Sequence, residues 1–270
     1  MTAFDKATAV SALGGGAFVA VSDADWEAPN GPNGGYLAAI VLRAMAAALD
    51  DPSRPARSIT LHYLRPPRPG ELRIDVVVER SGRNLSNLTA RVAQGERLCV
   101  IATAAFAGAF PPSPVDFSET VPDVPPASAV EPYVTHDALP PIARRLVLRG
   151  VIGAPPFSGA DEALAGGWMS LHEPQPVDAP LLALYADGWL PAAFTMLTAP
   201  ALAPTIDLTI HFRAPAVAAA VPPDEPLLGI FRSRFSADGI VEEDGELWSP
   251  DGVLLAHSRQ LALLAPLGDG

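Results

Sequence analysis

Between residues 58 and 106 the chain carries four stretches in which apolar positions alternate with polar ones or are β-branched: SITLHYLR (58–65), ELRIDVVVER (71–80), NLSNLTARVAQ (84–94) and RLCVIATAAF (97–106). That pattern predicts strands. Gly82, Gly95 and the prolines at 66, 67 and 69 punctuate them. Just upstream the period changes. GYLAAIVLRAMAAAL (35–49) consists almost entirely of Ala, Leu, Ile, Val and Met, with Arg43 as its only charge, which predicts a helix apolar nearly all round and therefore buried. One such helix followed by an antiparallel meander predicts a sheet curled around it, because that burial satisfies both elements at once.

The pattern then recurs. TLHYLRP (60–66) is echoed by TIHFRAP (209–215), GGYLAA (34–39) by DGWLPAA (187–193), GGAFVAV (15–21) by GGWMSL (166–171), and QGERLCVIAT (94–103) by DGVLLAHSRQ (251–260). Collinear matches with small differences of offset read as a duplication with loop insertions. Between the copies, PPSPVDFSETVPDVPPASAVEPYVTHDALPP (111–141) is rich in Pro, Ser and acidic residues and reads as a stiff linker. The expected organisation is an N-terminal unit over 1–110, this linker, and a C-terminal unit over 142–270.

Composition narrows the function. With 49% hydrophobic residues in 270, the chain can bury one large core or two ordinary ones. A net charge of −12, from 18 Lys and Arg against 30 Asp and Glu, argues against a nucleic-acid platform. The apolar run AAIVLRAMAAAL (38–49) falls short of the ~20 residues a membrane span needs. MTAFDKATAV at the start lacks the basic-then-apolar layout of a secretion signal. Together with the lone Cys99, which has no partner for a disulfide, these features point to a reducing, cytosolic setting.

Several chemistries lack sequence support. There is no G-x-S-x-G elbow, and Cys99 lies mid-strand with no basic neighbour, so a covalent nucleophile is not expected. The histidines at 62, 136, 172, 211 and 257 stand singly, without the spacing of a metal site. No Gly-rich phosphate loop suggests a nucleotide cofactor. Candidate polar groups fall in the second copy. Asp187 precedes Gly188-Trp189-Leu190 and reads as a helix N-cap, a place from which a carboxylate can also hold a water. In the strand TIDLTIHF, strict alternation puts Thr205, Asp207, Thr209 and His211 on one face, open either to solvent or to a site. Gln260 is a lone polar residue at the end of an apolar strand, and is exposed there or hydrogen-bonded.

The segments LHYLRPPRPG (61–70), ARVAQGERL (90–98) with the following ATAAF, YADGWLPAAF (185–194), TIDLTIHFRAP (205–215) and DGVLLAHSRQ (251–260) resemble, in order, those of the acyl-CoA thioesterase II family. The resemblance implies an α+β double hotdog, two tandem copies of an antiparallel sheet wrapped around a central helix. It further implies hydrolysis of an acyl-CoA by a water held by an Asp, a Thr and a Gln, here Asp187, Thr205 and Gln260. In the first copy the corresponding positions are read as Gly34, Ala56 or its neighbours, and Thr103.

On that reading Asp187 activates the water and backbone N–H groups at a helix start receive the oxyanion, with Gly34, Gly35, Gly188 and Trp189 as candidates. His62, Arg65, Asp207 and His211 are candidate substrate contacts. Trp189, Phe194, Met196 and Leu197 are either tunnel lining or ordinary core. Homo-oligomerisation is expected by analogy with paired hotdog sheets. Two alternatives stay open: an acyl-thioester-binding module without turnover, and a double-hotdog hydratase, whose Asp is followed five residues on by His, where this chain has Ala192.

Overall fold

A computed structural model describes residues 1–267. One antiparallel sheet of thirteen strands dominates it. The first half supplies β1 (Ser11–Gly14), β2 (Ala17–Ser22), β3 (Ala56–Tyr63), β4 (Gly70–Ser81), β5 (Leu85–Gln94) and β6 (Arg97–Ala107). The second half supplies β7 (Leu146–Gly153), β8 (Leu164–Leu171), β9 (Thr205–Phe212), β10 (Leu227–Arg232), β11 (Ser236–Ala237), β12 (Ile240–Trp248) and β13 (Leu254–Leu263). Their spatial order is β1-β2-β4-β5-β6-β3-β9-β13-β12-β10-β8-β7, with β11 paired to β12. Read outward from the β3–β9 junction, the two halves repeat the same order of strands.

The echoed heptapeptides meet at that junction. Thr60 pairs with Thr209, Leu61 with Leu208 and Ile59 with Ile210, and the two threonine hydroxyls lie 3.0 Å apart. A residue paired with its own counterpart marks a pseudo-twofold axis. The repeated sequence is therefore the seam that joins the two halves into one sheet.

Helix α1 (Ala3–Ala7) precedes the sheet, and helix α2 (Gly34–Leu49) fills the first half. Asn33 caps α2, accepting from the Tyr36 N–H at 2.9 Å, and Asp50 ends it in the left-handed region at φ 50°. Ten of its sixteen residues are buried, among them Tyr36, Ile40 and Met45. At roughly 1.5–3 kcal/mol for each large apolar side chain removed from water, that burial anchors the helix. Both halves are thus a sheet curled around a helix, the double hotdog implied by the resemblance.

The second helix corrects the sequence reading. It does not begin after Asp187; α3 spans Ala179–Tyr185, upstream of it, and is capped by Asp178 with Pro180 in its first turn. Downstream, Pro191 breaks the apolar run, which forms only a 3-10 turn over Ala192–Thr195. Counted from the two caps, Asp187 is level with Leu42 of α2 and not with Gly34.

The helices run against each other. A Cβ on Gly35 would come within 2.4 Å of the Ala183 carbonyl oxygen and 2.8 Å of that of Leu184. Only glycine lets the start of α2 reach the end of α3 this closely. The Pro-rich segment before β7 is tied down rather than free: Trp168 Nε1 donates to the Pro125 carbonyl at 2.8 Å, and the Tyr133 N–H donates to that of Leu148 at 2.8 Å.

Candidate active site

Where α2 begins and α3 ends, a cavity of about 820 Å³ opens. Its wall is mostly apolar, with Leu37, Leu148, Trp189 and Phe194 on it and Tyr133 and Leu139 contributed by the Pro-rich segment. Its polar wall includes two hydrogen-bonded sets, Asn33, Tyr63 and Asp187 around the start of α2, and Thr205, Gln260 and Glu243 on the sheet.

Asp187 follows the last turn of α3, and its carboxylate points at the first turn of α2. Oδ2 accepts from Asn33 Nδ2 at 2.8 Å and from the Gly35 N–H at 3.1 Å, while Asn33 Nδ2 also donates to the Asp187 carbonyl at 2.7 Å. The expected N-cap chemistry is therefore present, but on the helix of the other half. Gly34 leaves the room: a Cβ there would stand 3.0 Å from both Asp187 Oδ2 and the Tyr63 hydroxyl. Burial pushes the Asp187 carboxyl up to about 6, against the lowering effect of the Gly35 and Gly34 amides.

Thr205 owes its position to a bulge. Thr205 pairs with Ala262 and Asp207 with Leu261, so Ile206 is an extra residue in the ladder. Strict alternation put Thr205 on the face of Asp207; the bulge turns it inward. Its hydroxyl donates to Gln260 Oε1 at 3.0 Å. The first half has the same irregularity between Ala56 and Ser58, where Ala56 takes the place of Thr205.

Gln260 is buried, 8% exposed, and its Nε2 donates to Glu243 Oε1 at 2.9 Å. Register also corrects its counterpart. Gln260 pairs with Leu208 and Glu243, while Ala104 pairs with Ile59 and Leu88. Its equivalent is thus Ala104, and the exposed Thr103 lies one residue off, on the outer face.

Among the described residues Asp187 makes no direct bond to Thr205 or Gln260; the three share a cavity wall. Arg65 also lines the cavity, but His62, Asp207 and His211 do not. They follow the other parity of β3 and β9, opposite the buried Leu61, Leu208 and Ile210, and so face away from it. Of the four proposed oxyanion donors, the Gly35 N–H is held by Asp187 and the Gly188 N–H by the Tyr185 carbonyl at 3.1 Å. The Gly34 amide also faces the Asp187 carboxylate. The Trp189 N–H donates to no protein atom among the described residues.

Three residues at the site were not singled out from sequence. Asn33 carried a signal, an Asn directly before a Gly-Gly helix start. Glu243 carried another: in IVEEDGELW it shares the inward parity of Val241, Gly245 and Leu247, where a charge is out of place. Tyr63, whose hydroxyl donates to the Gly34 carbonyl at 2.7 Å, sits in an ordinary strand pattern with nothing to mark it.

Comparison with known proteins bears on the identity of this arrangement. The acyl-CoA thioesterase N-terminal domain model matches residues 22–107 and the acyl-CoA thioesterase C-terminal domain model matches residues 118–264. No curated protein matches the sequence. Among solved structures, a conserved hot dog fold protein of unknown function from Alicyclobacillus acidocaldarius superposes with a TM-score of 0.90 at 29% identity, covering 99% of this chain and 100% of that one. A putative thioesterase II from Thermobifida fusca superposes at 0.84 with 24% identity, over 98% of each chain. An acyl-CoA thioesterase II from Mycobacterium marinum does so at 0.77 with 16% identity, over 100% of this chain and 99% of that one, a likeness of fold. With both domain models matched in order over most of its length, the chain belongs to the acyl-CoA thioesterase family.

Proposed function

We propose that the protein hydrolyses an acyl-CoA thioester to the free acid and CoA, using a water held between Asp187 and the Thr205–Gln260 pair, with no covalent intermediate. The observation that carries this reading is one mostly apolar cavity whose wall holds both a buried carboxylate and a hydroxyl–amide pair. A carboxyl pushed up to about 6 is still mostly ionised at neutral pH, and is a stronger base than an ordinary aspartate. It takes a proton from the water as the oxygen attacks the thioester carbon, and gives it to the CoA sulfur as the C–S bond breaks, which leaves the free acid and the thiol. Thr205, whose own proton goes to Gln260, offers the water a lone pair. Holding the water from two sides converts a bulk encounter into a positioned attack.

The Trp189 N–H is the backbone donor assigned to the developing oxyanion, because the amides at the start of α2 serve Asp187 instead. The acyl chain occupies the apolar remainder of the cavity, and Arg65 at its wall meets the CoA moiety. A cytosolic setting, homo-oligomerisation, and a division into units 1–110 and 142–270 joined by 111–141 belong to the same proposal.

The test is thiol release from a panel of acyl-CoAs, run beside water addition to crotonyl-CoA and equilibrium binding of the same panel. Turnover to free acid is expected. Water addition would establish the hydratase instead, and binding without turnover the non-catalytic module.

A further inference from the structure

Glu243 stands at a position where the fold itself does not require a charge. It lies in the inward parity of β12, only 6% exposed, and among the described residues it has no ion-pair partner. Both carboxylate oxygens accept from neutral donors: Oε1 from Gln260 Nε2 at 2.9 Å, Oε2 from the Ala192 N–H at 2.5 Å. Burying a carboxylate without a cation is costly. The other half of the molecule avoids that cost at the equivalent cross-strand pair, where Leu88 faces Ala104.

What the carboxylate adds is direction. An amide side chain can present its oxygen or its nitrogen to either neighbour. An ionised carboxylate only accepts, so beside Glu243 the Gln260 amide must turn its nitrogen to Glu243 and its oxygen to Thr205. The Thr205 hydroxyl then has to donate to Gln260, and what it shows the cavity is lone pairs. The second Gln260 N–H donates to no protein atom among the described residues.

We propose that Glu243 is a positioning residue: it fixes the polarity of the Thr205–Gln260 pair, and through it the orientation of the attacking water, while its second oxygen holds the Ala192 turn that follows the cavity-lining Trp189 and Leu190. The inference rests on the hydrolytic reading above and adds a fourth side chain to it.

Titration offers a readout that a structural role would not move. The charged groups near Glu243 are Asp187, which follows α3 and lines the same cavity, and the adjacent Glu242, on the other parity of β12, while β13 brings only the neutral Gln260. Burial foremost, with both carboxylates adding, pushes Glu243 up to about 7. Since the ionised form is the one that orients Gln260, activity in the wild type rises with pH through two ionisations, those of Asp187 and Glu243.

The experiment compares wild type with Glu243→Gln and Glu243→Leu, measuring kcat, KM, the pH profile of kcat and thermal stability. Glutamine keeps the shape but no longer dictates which way Gln260 turns. Its kcat is expected to fall roughly tenfold with KM little changed, and its acid limb to shorten to a single ionisation. Leucine removes the buried charge but leaves the Gln260 and Ala192 donors unpaired, so it is expected to fold with stability near that of the wild type and to be as slow or slower. If Glu243→Gln keeps the wild-type kcat and acid limb, the proposal is overturned while the hydrolytic reading stands. If it does not fold, the leucine variant decides in the same way, full activity overturning the proposal. A wild type that releases no thiol from any acyl-CoA removes both.

Discussion

The chemistry at the residue scale turns on what it costs to ionise Asp187. Its carboxyl sits near 6 in the folded protein because burial outweighs the Gly35 and Gly34 amides, against an ordinary value of 3.8. A carboxyl raised by folding binds its proton more tightly when folded. Its destabilising effect is therefore absent below the unfolded value, grows as pH rises between about 4 and 6, and is complete above that window. Asp187→Asn retains an oxygen for both Asn33 and the Gly35 N–H, since a single carboxylate oxygen serves them now. The variant is expected to melt higher than wild type at neutral pH and to lose that advantage near pH 4, as differential scanning calorimetry across pH would show. A stability difference between wild type and Asp187→Asn that stays flat from pH 4 to neutral pH would contradict the assignment.

At the scale of elements, the start of α2 makes the site possible. Gly35→Ala would drive a methyl group into the Ala183 and Leu184 carbonyls, so α2 and α3 must separate. The expected result is a loss of about 1–3 kcal/mol in denaturant unfolding, with lowered activity because the Gly35 N–H moves away from Asp187. The Thr60–Thr209 pair at the seam makes a contrasting prediction. Changing both to Val exchanges one hydrogen bond for apolar contact between β-branched residues, and unfolding is expected to shift by less than about 1 kcal/mol.

How far these elements were legible follows from periodicity. The strands, α2 and the duplication were readable because each repeats a local pattern. Helix α3 was not, because seven residues, Pro180 among them, give too short a run to show a period. The bulge at Ile206 was invisible for a similar reason: alternation carries no sign of an inserted residue, so Thr205 appeared to face Asp207's way. A slip of one residue misplaced the counterpart of Gln260 by the same logic, since every such slip exchanges the faces of a strand. Asp187, Thr205 and Gln260 could be named from family resemblance alone; the pairing of Gln260 with Glu243 needed the register of β12 on β13.

The whole molecule is a symmetric frame with an asymmetric site. Where the second half has Thr205, Glu243 and Gln260, the first has Ala56, Leu88 and Ala104; it contributes instead Asn33, the α2 amides and Tyr63. Neither half holds the polar cluster alone, because Asp187 of one is fixed by the helix start of the other. The Pro-rich segment completes the cavity wall, with the Tyr133 ring set edge-on to Trp189 at a centroid distance of 6.2 Å. Tyr133→Ala is expected to raise KM for acyl-CoA several-fold with a smaller effect on kcat, since it removes cavity wall and no reacting group. A fall in kcat at unchanged KM would instead place Tyr133 among the reacting groups.

The central claim is that the carboxylate at the meeting point of the two helices activates water against a thioester. Its most direct test is steady-state thiol release from an accepted acyl-CoA by wild type and Asp187→Asn at neutral pH, with folding of both checked by calorimetry. The account predicts turnover by the wild type and at least about a tenfold lower kcat in the folded variant. A folded Asp187→Asn that turns over at the wild-type rate would contradict it.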